Sequence, residues 1–143
     1  MIKANYNLAI SATFIWIGFV CAISFMEAWL KFRAPGINLQ LGLGIGRLVF
    51  SALNKVEWVL ALCILLNLFF CKNPAIKNYH VFFIIALLIL IVQTIYALPT
   101  LDHRAEMHIN GMEVPPSNLH FYYVFMECIK VINLTIFGIK LFK

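Results

Sequence analysis

Long apolar stretches alternate with short polar ones along the chain, and four of the apolar runs dominate it, at about 8–32, 47–70, 80–100 and 118–142. Each approaches or exceeds the roughly 20 residues a helix needs to cross a bilayer. A soluble amphipathic helix would show one apolar stripe and a solvated face. These runs are apolar all round, so their solvent is lipid. The breaks between them carry chain-stopping chemistry. Lys31-Phe32-Arg33 places cations at a helix C-terminus, and Pro35-Gly36 follows. Pro99 closes the third run, and Pro115-Pro116-Ser117-Asn118 leads into the fourth, with Ser117 or Asn118 able to cap it. Gly42, Gly44 and Gly46 precede the second run. With no strand before them they are not a nucleotide fingerprint. They read as small residues for a close helix crossing, or as a flexible lead-in. The pattern predicts an all-α polytopic membrane protein, residues 1–143 forming one antiparallel bundle of four transmembrane helices.

Composition agrees with this reading. Of 143 residues, 63% are hydrophobic and 12% charged, against about 45–50% and about 25% in soluble domains. The length suits a single domain. One lysine precedes the first run and no small-residue cleavage site follows it, so the first helix is expected to be retained rather than removed as a signal. Cys21, Cys63, Cys71 and Cys128 lie in or beside apolar runs without CxxC spacing. They read as small buried hydrophobes.

The charge of +5 is a matter of topology. Four crossings put both termini and the 71–78 connection on one side. That side holds Lys3, Lys72, Lys77, Lys140 and Lys143 with no acid. The other holds six basic residues against six acidic ones. Basic loops stay cytoplasmic, so both termini are expected in the cytoplasm of the inner (plasma) membrane, with the acidic side exterior. No basic cluster resembles a phosphate-binding face, so no nucleic-acid partner is expected.

Candidate chemistry lies where charge enters the apolar runs, always toward the non-terminal side. The first run carries Ser24, Glu27 and Lys31. The second carries Arg47, Ser51, Asn54 and Glu57, and the third Gln93 and Tyr96. The fourth carries His120, Tyr123, Glu127 and Lys130 along one helical stripe. An ionised group at bilayer centre costs at least about 2.5–3.5 kcal/mol and tends to face the bundle interior with a partner. Polar groups can simply join helices, at about 0.6 kcal/mol per hydrogen bond. Contributions from all four helices at one depth exceed what joining requires. Glu27, Arg47, Asn54, Glu57, Gln93, His120, Tyr123, Glu127 and Lys130 are therefore the expected ligand-binding residues of an exterior-facing intramembrane pocket. Its occupant would be a small polar ligand, a lipid headgroup or an ion.

Two further readings stand beside this one: a small integral membrane enzyme acting on a lipid or quinone-like substrate, and an accessory subunit of a membrane complex. Glu57, Glu127, Asp102 and His120 have the chemistry of an acid and a base, but no nucleophile motif accompanies them. No catalytic residue is assigned. His103, His108 and His120 lack HExxH order and no four-ligand zinc set is present, so neither metal nor cofactor is expected. The expected partners are membrane lipids, and a second copy or a membrane complex.

Leu30-Lys31-Phe32-Arg33-Ala34-Pro35, with Leu41-Gly42 and Gly46-Arg47-Leu48-Val49-Phe50, resembles a family of small uncharacterised bacterial four-helix membrane proteins. It is more distantly similar to the transmembrane protein 205-like group. Leu98-Pro99 followed by Arg104, and His120 early in the fourth run, fit the same outline. The resemblance implies four helices and no established reaction. The first run holds no histidine, which the distant group would have, so no site residue is carried across.

Overall fold

A computed structural model describes residues 6–70 and 78–142. Lys3, Cys71, Lys72, Lys77 and Lys143, with most of the connection at 71–78, lie outside the described residues. The described chain is all-helical: α1 (Asn7–Arg33), α2 (Leu39–Phe70), α3 (His80–Ile109) and α4 (Leu119–Leu141). Helices α1, α2 and α3 are long and apolar enough to cross a membrane, which marks the chain as a helical membrane protein.

Neighbouring helices run antiparallel, as the contacts between their ends require. Asn67 near the end of α2 accepts a hydrogen bond from the Ala9 amide at the start of α1 (3.1 Å). Arg47 at the start of α2 meets Asp102 late in α3. Phe83 early in α3 stacks on Phe137 late in α4, with centroids 5.3 Å apart. Phe14 of α1 lies against Phe142 just beyond α4. The core holds Trp16, Ile64, Leu90 and Phe137 together with Ala9, Ala12, Ala61 and Ala86. Small side chains at helix contacts let backbones approach closely, which suits an apolar solvent that offers no hydrophobic drive between helices. Outward positions such as Leu48, Phe69 and Ile95 are exposed and apolar.

Two helices extend beyond the runs that predict them. Helix α2 begins at Leu39 rather than near 47, because the Asn38 carboxamide oxygen accepts the Leu41 amide (2.9 Å) and caps it. Gly42, Gly44 and Gly46 are thereby helical. Gly42 lies under the Phe32 ring, with no room for a Cβ, and a Cβ on Gly46 would sit 3.2 Å from the Lys31 ammonium. The close-crossing role is the one these two glycines fill. Helix α3 runs through Pro99 to Ile109, so 101–109, beyond the expected run, is also helical. Residues Gln93–Ala97 wind as a π-helical turn just before the proline. Opening the hydrogen-bond ladder there accommodates a residue that lacks an N–H and crowds the preceding turn. Gly111, at φ +72°, then terminates the helix. Arg104 ties the following loop back by donating to the Pro115 carbonyl.

Candidate functional site

The polar residues inside the bundle fall into two layers. In the deeper layer Trp16 of α1, Glu57 of α2, Gln93 of α3, and Glu127 and Lys130 of α4 meet, all fully buried. Glu127 and Lys130 share a face because they stand three residues apart on one helix. Lys130 Nζ forms an ion pair with Glu57 and lies 3.1 Å from Glu127 Oε2. It also donates to the Gln93 side-chain oxygen (2.7 Å). An ammonium has three protons, and here three side chains accept them. The Gln93 amide nitrogen donates to Glu127 Oε1 (3.0 Å), and the Trp16 indole N–H donates to Glu57 Oε1 (2.7 Å). Glu57 Oε2 is buried and accepts no hydrogen bond from the described residues. The π-helical turn Gln93–Ala97 starts at this depth, and a second, Cys21–Glu27, lies in α1.

The shallower layer is an open cavity of about 560 Å³ at the end of the bundle away from the chain termini. All four helices line it: Lys31 and Phe32 of α1, Arg47, Phe50, Ser51, Asn54 and Lys55 of α2, Thr94, Leu98, Pro99 and Asp102 of α3, and His120 and Tyr123 of α4. Gly42 and Gly46 leave part of its volume clear. Arg47 grips Asp102 with two hydrogen bonds (2.6 and 2.9 Å) and lies 3.8 Å from Glu106. Asn54 Nδ2 and the Trp58 indole both donate to the Thr94 hydroxyl (2.9 and 3.0 Å), which itself donates to the Leu90 carbonyl (2.8 Å). Tyr123 belongs to both layers. It lines the cavity, yet its side chain is buried and its hydroxyl lies beside Glu127 without a well-formed hydrogen bond.

Of the residues the sequence singles out, Arg47, Asn54, His120 and Tyr123 line the cavity, while Glu57, Gln93, Glu127 and Lys130 form the network beneath it. Glu27 lies outside the lining and pairs with Lys31 one turn on (3.2 Å). His103 is not in the lining, so it does not share the cavity with His120. Among the described residues no three metal-ligating side chains converge. Sequence reasoning passed over Trp16 and Thr94. An indole N–H in the middle of an apolar run needs an acceptor, and that need is the signal Trp16 carried. Thr94 had none, because threonine in such a run commonly bonds its own helix. The chain matches no family model, and no curated protein or solved structure is detectably similar to it.

Proposed function

We propose that this protein crosses the inner (plasma) membrane four times, with both termini cytoplasmic, and that its exterior-facing cavity binds a small polar ligand or a lipid headgroup. The observation that carries the reading is the cavity itself. Side chains from all four helices enclose about 560 Å³, within the roughly 300–1,000 Å³ of ligand pockets. A few polar groups, among them Arg47, Asn54, His120 and Tyr123, stand on walls made of Phe32, Phe50, Leu98 and Leu101.

The fourth span is supported by the way α4 treats its charges. Its 23 residues reach about 34 Å, and Glu127 and Lys130 point inward to each other and to Glu57. Phe121, Phe125, Ile132 and Ile139 remain exposed on the outside. A helix so arranged presents lipid with an apolar surface and hides its charge among partners.

Native mass spectrometry of the full chain, extracted in mild detergent, tests the reading. Wild type is expected to retain a small molecule or lipid. Ser51→Trp, which fills the cavity from an exposed position outside the buried network, is expected to lose it. Identical retention by the two proteins would dismiss the cavity as a binding site.

A further inference from the structure

The cavity's donors and acceptors are unevenly engaged, and the imbalance has a chemical sense. Asp102 is the one carboxylate among the described lining residues, and Arg47 occupies it. Lys31 is held by Glu27. Two other groups on the lining are unengaged by the described residues. The Lys55 ammonium makes no ion pair or hydrogen bond with them, nor does the His120 imidazole. The Tyr123 hydroxyl is turned away from them, toward the buried Glu127 carboxylate. Lys55 follows Arg47 by two turns, about 12 Å further along α2, inside the apolar part of that helix. An ammonium there without a counter-ion is costly in lipid unless it pairs or snorkels.

We infer that the cavity takes an anionic amphiphile, its oxyanion head (a phosphate or a carboxylate) held by Lys55 and His120 and its apolar part lying on Phe32, Phe50 and Leu98. The inference rests on the reading of the cavity as a binding site and adds the class of ligand. An oxyanion accepts hydrogen bonds without donating any and carries the charge that Lys55 lacks a partner for. The aromatic and leucine walls would repel a free hydrated ion and suit an acyl chain.

Full-length protein in neutral detergent, titrated with dioctanoyl phosphatidylglycerol, dioctanoylglycerol, decanoate and inorganic phosphate, tests this. The phospholipid or decanoate is expected to bind at least tenfold more tightly than dioctanoylglycerol, and whichever of the two binds better identifies the head. Lys55→Met breaks no existing contact, so its melting temperature should match wild type. Its affinity for the preferred anion should fall at least tenfold, with dioctanoylglycerol unaffected. Equal binding of dioctanoylglycerol and the anionic amphiphiles, or full affinity in Lys55→Met, would overturn the oxyanion assignment and leave the cavity reading standing. Inorganic phosphate binding as tightly as the phospholipid would overturn the amphiphile. Binding that survives Ser51→Trp unchanged would instead refute the cavity itself.

Discussion

At the scale of single residues, Lys130 is the hinge of the buried layer because three side chains depend on it. The helical spacing of Glu127 and Lys130 is enough by itself to point to their pairing. The ion pair to Glu57 crosses from another helix, and it changes what a mutation should do. Lys130→Met leaves two carboxylates uncompensated in a site with no water-exposed surface, and breaking a buried pair typically costs about 3–5 kcal/mol. Adding Glu127→Gln should not restore stability, since Glu57 still lacks its counter-ion. The triple change Glu57→Gln, Glu127→Gln, Lys130→Met should recover most of it. Unfolding of the purified variants in detergent decides the matter, and full recovery in the double mutant would show that Glu57 is not part of the network. Trp16→Phe removes one donor to the same carboxylate. A hydrogen bond to a charged group contributes about 1.5–3 kcal/mol, so this variant should unfold correspondingly earlier in the same assay.

At the scale of elements, the glycines that open α2 behave differently although they share one helix. A methyl group at Gly42 meets the Phe32 ring, whereas one at Gly44 meets nothing within 4 Å. Both substitutions gain helix propensity of about 1 kcal/mol. Gly44→Ala should therefore stabilise the protein slightly. Gly42→Ala must push the end of α1 away, and overpacking of this kind costs about 1–3 kcal/mol. Its melting temperature should fall below that of wild type while Gly44→Ala rises above it. Equal shifts would mean that Phe32 yields freely and the α1–α2 crossing is loose. The cavity lies beside this crossing, so Gly42→Ala should also weaken ligand retention.

For the molecule as a whole, the proposed sidedness rests on where the basic residues lie. A fluorescent-protein fusion after Lys143 should fluoresce, and an alkaline phosphatase fused there should be inactive, because that end is expected in the cytoplasm. The opposite pair of results would turn the cavity toward the cytoplasm and make its ligand a component of the inner leaflet. Neither outcome affects the internal geometry, since the bundle's contacts are independent of its direction in the membrane.

The amino-acid sequence alone determined the helices, their number and the end of the bundle that carries the polar groups. Lipid provides no partner for a free backbone amide, so a crossing segment must be one continuous apolar helix, and such a segment is legible by length and composition. Asn38 as a cap and the passage of α3 through Pro99 were not legible. Capping residues stand outside the apolar run, and the π-helical turn that absorbs the proline is stabilised by neighbouring helices. Only the tertiary structure divided one expected pocket into a closed ionic network and an open cavity above it. Runs that are apolar all round carry no stripe to say which way each helix is turned. The rotation and axial offset of α2 against α4 therefore decide that Glu57 meets Lys130 while Lys55, two residues earlier on the same helix, is left without a described partner on the cavity wall.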